Sequence, residues 1–339
     1  MDGFLDILYQ YEIYFGLGVG LLFGYILQRG RLCFNSAIRD VKFFGDNYLM
    51  KAIFLAISIN SLVFVAMAQF GLIQLHPLAF APLGNILGGL IFGFGMVLAG
   101  GCASGVTYRT GEGMISAWIA ALFYAIFASA SKASFLKPLI SLLKGPVYTV
   151  EGDGKYYAYD AVGPTIATVL KVNPWIPAII FAVIVWYILW KTKTTERPDS
   201  AWNWKLLGIL TVIVSALGYL TKQTYGLGIT GGWVSLMNYL IGGKYIGWSG
   251  MFILGIIFGS LVSALIRKEF KFRAPRDPKV FGQVALGGIL MGFGAVLAGG
   301  CNIGHFLTGF SHLAIGSILT TIFFFLGNWA GYYWLYERD

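Results

Sequence analysis

The stretch Gly88–Gly105, GGLIFGFGMVLAGGCASG, occurs again 199 positions later as Gly287–Gly304, GGILMGFGAVLAGGCNIG. Of the 18 aligned positions 12 are identical, including the run Val-Leu-Ala-Gly-Gly-Cys that ends at Cys102 and again at Cys301, so the copies share a local structure and not only a composition. The first part of each is apolar and dotted with glycine, as in a tightly packed membrane helix. The second part, Gly-Gly-Cys-x-x-Gly, is where such a helix should stop. Two adjacent glycines each lower helix propensity by about 1 kcal/mol relative to Ala, and they leave the backbone free to turn and present its N–H groups.

The rest of the chain says in what solvent this happens. It is 57% hydrophobic and 12% charged over 339 residues, against about a quarter charged in soluble domains. Several apolar runs reach the roughly 20 residues that a spanning helix needs, and they lack the alternation of a membrane β-barrel. The fold class is therefore an all-α integral membrane protein. A net charge of +9 could suggest nucleic acid, but most Lys and Arg sit in short connections between apolar segments, where they act as topological signals. Three cysteines without a CxxC argue against a disulfide framework. No P-loop is present, and no cofactor or metal is expected. Asp2, Asp6 and Glu12 open the chain without a basic residue, unlike a cleavable leader, so the first segment is expected to stay as a membrane helix.

Nine spans are expected, at roughly 11–28, 48–73, 82–99, 112–131, 175–191, 204–221, 248–267, 281–298 and 311–335. Between them, about 31–42, 102–110, 229–241 and 301–309 are apolar but too short or too glycine-rich to cross. They fit re-entrant half-helices, tolerated at membrane depth only where protein or a cavity covers them. Residues 134–174 read as a long polar connection, with a surface helix or a small hairpin, that includes EGDGKYYAYD (Glu151–Asp160). Four spans precede the fifth and four follow it, so matched elements run in opposite directions. This predicts a single transmembrane domain over 1–339 in a 4+1+4 plan: repeat one about 11–131, linker and central helix about 132–200, and an inverted repeat two about 204–336. The two broken ends should enter from opposite faces and meet near the midplane. The same offset places Cys33 opposite Gly232 in ITGGWVSLMN, so the first re-entrant element carries a cysteine where its partner carries glycine.

Orientation follows from the basic residues. With the N-terminus outside, the inner connections hold Arg29, Arg31, Arg39, Lys42, Lys51, Arg109, Lys191, Lys193, Arg197, Lys205, Arg267, Lys268, Lys271, Arg273, Arg276, Lys279 and Arg338, which is 17 of the 24 Lys and Arg. N-terminus outside and C-terminus in the cytoplasm is the expected topology.

Each Gly-Gly-Cys break leads into a short helical piece, so unpaired amides lie near the thiol, and turns of this kind favour an anion. The cysteine adds a weak S–H donor and a polarisable sulfur. A small anion with charged oxygens and a terminal soft sulfur, such as thiosulfate, fits both. Amide dipoles lower a thiol's pKa and burial raises it; burial is expected to win, leaving neutral thiols. The candidate pathway residues are Cys33, Cys102 and Cys301 with Gly101, Gly105, Gly300 and Gly304. Asn35, Ser104, Asn302 and His305 are the polar neighbours, with Ser36, Thr107 and Thr308 further candidates. Arg29, Arg31, Arg39 and Arg109 read first as interface anchors. His76, Lys222, Lys244 and His312 could draw anions to an outer entrance, although both of these histidines read more readily as structural. Most glycines in 84–95 and 282–294 read as helix-packing surface, and Trp175, Trp186, Trp190, Trp202 and Trp204 as an interfacial belt.

The Cys33 element after the first span, together with the two Gly-Gly-Cys-x-x-Gly segments, resembles the YeeE/YedE family of sulfur-compound transporters, its thiosulfate branch in particular. That resemblance implies thiosulfate uptake across the bacterial inner membrane, with Cys33, Cys102 and Cys301 as relaying thiols and short helices dipping in from both faces. It also implies a small TusA-like sulfur carrier on the cytoplasmic side; no such domain is read before Asp339, so a separate partner is expected. Other branches handle other sulfur or selenium species. Two different classes stay open: a membrane thiol enzyme, which would use a close cysteine pair, and a soft-metal channel, since thiolates suit Cu(I).

Overall fold

The two glycine-rich copies form helices that cross each other at the centre of the molecule. The computed structural model describes residues 11–158, 161–195, 202–222, 224–243 and 245–336. In chain order these hold α1 (Glu12–Gly30), α2 (Phe34–Arg39) running into a π-turn at Asp40–Phe44, α3 (Tyr48–Gln69), α4 (Pro82–Leu98), α5 (Ala103–Gly111) and α6 (Ile115–Ala133). Then come α7 (Lys137–Lys144), β1 (Val150–Glu151), β2 (Ala161–Val162), α8 (Ile166–Leu170) and α9 (Trp175–Lys191). The second half holds α10 (Trp204–Lys222), α11 (Thr230–Gly242), α12 (Trp248–Ile266), α13 (Lys279–Ala298), the π-helix Ile303–Phe310 and α14 (Ile315–Tyr336).

Every expected span coincides with one of the long helices, and every expected re-entrant piece with a short one. Seven helical stretches are long and apolar enough to cross a bilayer. The central α9 is apolar but shorter, at 17 residues. In α1 the polar residues Glu12, Gln28 and Arg29 dilute the apolar run. Two boundaries differ from the expectation by several residues. Gly113 takes a left-handed turn at φ +83°, which delays α6 to Ile115. The π-helix runs on to Phe310 and Leu313 is left-handed at φ +52°, which delays α14 to Ile315. The connection 134–174 holds both alternatives, a surface helix (α7) and an antiparallel pair, Val150 opposite Val162. It is stitched to the loop before α4 by Leu75 N–H to Tyr156 O at 2.8 Å and by Tyr148 N–H to Phe80 O at 2.7 Å. The readings placed on Asp2, Asp6, Tyr159, Asp160, Arg197, Lys244 and Arg338 lie outside the described residues.

Close approach between helices is set by small residues. In lipid no hydrophobic force draws two helices together, so contact has to come from van der Waals fit. Gly16, Gly20 and Gly24 of α1 face Trp248, Phe252 and Ile256 of α12, which makes this pair parallel. A side chain at Gly20 would place its Cβ 2.9 Å from the Gly255 Cα. Likewise Gly89, Gly93 and Val97 of α4 run parallel to Thr320, Phe324 and Gly331 of α14, and Ala120 and Tyr124 of α6 parallel to Gly288 and Gly292 of α13. Ala52 with Gly208 and Phe64 with Tyr219 make α3 and α10 parallel. The two copies themselves run antiparallel: Gly88 meets Ala298 while Ala99 meets Gly287. A shift of 199 residues turns the α1–α12 pair into α10–α3 and the α4–α14 pair into α13–α6, and all four are among the packed pairs. Helix α9 lies at the edge against α3, antiparallel to it, with Trp175 on Gln69 and Trp186 on Ser58. Ile176, Ile180, Val183, Tyr187 and Trp190 stay exposed on its outer face, as suits a lipid-facing linker helix.

Candidate functional site

Both central helices stop for the same local reason. Gly100 and Gly299, the first glycine of each pair and equivalent under the repeat, take left-handed φ values of +69° and +93°. A side chain at either position would be strained, and the left-handed residue ends the helix. The chain then restarts alike in both copies. Val106 N–H bonds Cys102 O at 2.8 Å and His305 N–H bonds Cys301 O at 2.9 Å. Cys102 stands at the N-cap of α5, and its Sγ accepts the Gly105 N–H at 3.3 Å.

The restart points touch. Ala103 N–H donates to Asn302 Oδ1 at 3.3 Å, a bond between positions 199 apart and therefore equivalent under the repeat. Around it the packing is paired in the same way. Trp233 Nε1–H donates to Thr107 Oγ1 at 2.9 Å. Their equivalents 199 residues away, Phe34 and Phe306, stack with centroids 4.8 Å apart.

All three thiols are free and buried, exposed by 0%, 0% and 1% for Cys33, Cys102 and Cys301, so none faces lipid. Cys33, at the start of α2, brings its Sγ to 3.6 Å from that of Cys102. The approach is possible because Gly105 has no side chain: a Cβ there would lie 2.8 Å from the Cys33 sulfur. Cys301 accepts the Ile229 N–H at 3.3 Å, from the residue just before α11. The Tyr124 hydroxyl, 2.7 Å from Thr230 Oγ1, interacts with both Cys301 and Cys102 and so lies between the two thiols. On the side away from Cys102, Cys301 forms part of the wall of a cavity of about 350 Å³, with Gly300, Gly304, Thr230, Tyr225, Lys132, Lys144 and Lys222 around it.

The other candidates divide. Ser104 Oγ is 3.4 Å from Cys102 Sγ, beside the thiols as expected. Asn302 and His305 are 0% and 1% exposed, and Asn302 Nδ2 and His305 Nε2 have no partner, while His305 Nδ1 pairs with Ser317 Oγ at 3.0 Å. The free ring nitrogen lies against Gly300, 3.3 Å from where a Cβ would stand. Gly101 gives the same kind of room to Arg109, whose Nη1 would be 3.1 Å away. Gly304 receives the Tyr225 hydroxyl on its carbonyl at 2.7 Å. Asn35 turns away from the sulfurs, its Nδ2 donating to Tyr332 Oη at 3.2 Å and its Oδ1 accepting from Asn328 at 2.6 Å. Thr308 Oγ1–H donates to Leu227 O at 3.0 Å. Neither His76 nor His312 lines the cavity; His312 is buried against Phe64, Tyr219 and Tyr225, and Lys222 alone of the expected entrance group is found there.

At the opposite end, beyond Cys33, a polar cluster closes the way. Arg31 bridges Glu112 at 2.5 Å and Glu269 at 2.7 Å, so it serves carboxylates and not the sulfur two residues on. Gln28 donates to the same two acids at 3.1 and 2.8 Å and accepts from Ser263 at 2.5 Å. Tyr124, Thr230, Gln28, Glu112, Glu269, Lys132 and Lys144 were not singled out from the sequence. Only Thr230 carried a signal, as the repeat partner of Arg31; the others meet through distant contacts.

An all-α, multi-pass membrane protein whose two interrupted helices abut beside buried thiols belongs with transporters built on broken helices. The chain belongs to the sulphur transport family, whose model matches residues 29–330. It is 49% identical over 335 residues to the thiosulfate transporter TsuA of Spirochaeta thermophila, covering 96% of this chain and 100% of that one. To the thiosulfate transporter TsuA of Escherichia coli it is 33% identical over 339 residues, covering 95% and 94%. A probable transporter YedE of Escherichia coli is 38% identical over 105 residues, 31% of this chain and 24% of its own.

Proposed function

We propose that this protein carries thiosulfate across the membrane along the line Cys301, Tyr124, Cys102, Cys33, with its oxygens handed between main-chain amides, Asn302 and His305 and its terminal sulfur between neutral thiols. The observation that carries the reading is the abutment of the two breaks at Ala103 and Asn302, with Cys102 on one side, 3.6 Å from Cys33, and Cys301 on the other. Two relatives of nearly full length bear the name of thiosulfate transporters, which supports the choice of anion over other sulfur or selenium species. The antiparallel copies and the exchangeable helix pairs support an inverted 4+1+4 repeat across the inner membrane, in which Cys33 and Cys102 lie toward the cytoplasm and the N-terminus outside. A separate TusA-like carrier at that inner face would take the sulfur onward.

The test is uptake of labelled thiosulfate into liposomes holding the purified chain alone. Cys102→Ala and Cys301→Ala should each lower uptake about tenfold or more, the scale of one lost polar contact in the rate-limiting passage. Full-speed uptake by folded variants lacking these sulfurs would end the reading. The Cys33–Cys102 contact favours one alternative, a membrane thiol enzyme. In that case thiosulfate would be consumed only when an electron acceptor is added, and it would not accumulate unchanged in the vesicles.

A further inference from the structure

The cavity outside Cys301 has a feature that relaying an anion between thiols does not require. Among its described lining residues are Lys132, Lys144 and Lys222 and no Asp or Glu, and none of the three lysines makes an ion pair among the described residues. They come from three elements: Lys132 from the last turn of α6, Lys222 from the end of α10, and Lys144 from the end of α7, in the connection whose role the sequence left open. Lys222 interacts with both Lys132 and Cys301, and its ammonium stands 5.7 Å from the Trp248 ring and 5.9 Å from that of Tyr225. Three like charges around one water-filled space repel one another, and a divalent anion relieves that repulsion. At about 350 Å³ the space holds roughly ten waters, enough for a tetrahedral oxyanion with part of its hydration shell.

We infer that this lysine-lined cavity is an outer binding site for divalent tetrahedral oxyanions, which selects by charge before Cys301 selects by sulfur, and that α7 belongs to the protein to roof it. The inference rests on the proposed transport reading for its purpose, but the site stands on its own geometry. It follows that sulfate, which has the charge and shape and lacks the soft terminal sulfur, binds here, competes with thiosulfate and is not carried.

The experiment is binding of inorganic sulfate and of thiosulfate to the full-length protein in detergent at low salt, by calorimetry and by the fluorescence of Trp248 beside Lys222. Lys132→Gln, Lys144→Gln and Lys222→Gln are compared with Lys205→Gln at the far end of α10; Lys132 is exposed and Lys144 half-buried, so neither change threatens the fold. Each of the three should weaken sulfate binding about tenfold, as loss of one charge near a dianion does, and Lys205→Gln should not. Cys301→Ala should weaken thiosulfate binding and leave sulfate binding alone. Wild-type protein that does not bind sulfate, or lysine variants that bind it normally, would overturn the site. Sulfate binding that depends on the lysines, in a protein that takes up no thiosulfate, would keep the site and sink the transport reading. Normal uptake with unchanged KM in Lys132→Gln and Lys144→Gln would do the reverse.

Discussion

Gly105 and Gly304 are equivalent in the sequence repeat and inequivalent in what surrounds them. A Cβ at Gly105 would sit 2.8 Å from Cys33 Sγ and 3.3 Å from Cys102 Sγ, whereas one at Gly304 would meet nothing nearer than Tyr225 at 3.8 Å. Gly105→Ala should therefore push the two thiols apart and lower thiosulfate uptake about tenfold, while helix propensity gains about 1 kcal/mol and the melting temperature holds. Gly304→Ala should leave uptake within about twofold. Equal losses in the two variants would mean that the sulfur contact is not on the path. Reactivity separates the thiols as well. Cys301 adjoins the lysine-lined cavity and Cys33 and Cys102 do not, so a small maleimide should modify Cys301 first in folded protein, read by mass spectrometry of the peptides. The duplicated Gly-Gly-Cys marked Cys102 and Cys301 in the sequence because a repeated break needs no knowledge of distant contacts. The pairing of Cys33 with Cys102 joins positions 69 apart, and Tyr124 reaches the thiols from the next helix with no local signal. These contacts belong to packing and were not legible.

At the scale of elements, what the sequence hid is the clamp at the inner end. It ties α1, the α5–α6 turn and the end of α12 through Gln28, Arg31, Glu112 and Glu269. Read singly, Arg31 was a topology marker; only the fold shows that it spends its charge on Glu112, which is 1% exposed. Arg31→Gln leaves that acid buried with only Gln28 to face it. The loss should be about 1–3 kcal/mol, below the full cost of breaking a buried pair because the Arg31 side chain is 51% exposed, and it should appear as a lower melting temperature. Glu269 lies past the end of α12. Burial pushes its carboxyl up, but the hydrogen bonds from Arg267 and Gln28 and the charge of Arg31 outweigh this and hold it below the usual carboxylate range. A carboxyl held low in the folded state adds stability above its unfolded pKa, about 4.3, and that stability is lost as pH falls through the lower folded value. The melting temperature should therefore drop more steeply below about pH 4.3 in wild type than in Glu269→Gln, which should start lower at neutral pH. Parallel pH profiles would remove Glu269 from the clamp. The spans themselves were legible because about 20 apolar residues are a local property. The π-helix Ile303–Phe310, where α5 is the matching α-helix, was not, because it depends on how His305 and Ser317 meet.

For the whole molecule, the packing directions set a strong condition. Copies α4 and α13 run antiparallel while α4 with α14 and α13 with α6 run parallel, so exchange of the halves reverses the direction of crossing. The lysine-lined cavity and the Arg31 clamp then occupy opposite ends of one path, the first open and basic, the second closed by ion pairs. Two related mouths with opposite electrostatics suit anions entering at one and leaving when the other opens. The basic-residue count assigned the clamp end to the cytoplasm, and labelling can decide it. Lys155, in the connection near the cavity end, and Arg273, after α12 near the clamp, are both exposed. In intact cells carrying the Cys301→Ala background, a membrane-impermeant maleimide should label Lys155→Cys and spare Arg273→Cys until the cells are opened. The native Cys33 and Cys102, both 0% exposed, should stay silent in either condition. Labelling of Arg273→Cys alone would turn the molecule over, making the lysine-lined cavity face the cytoplasm and reversing the direction of transport. Labelling of both in intact cells would show that the two ends face the same compartment, and the inverted repeat across the bilayer would fall with it.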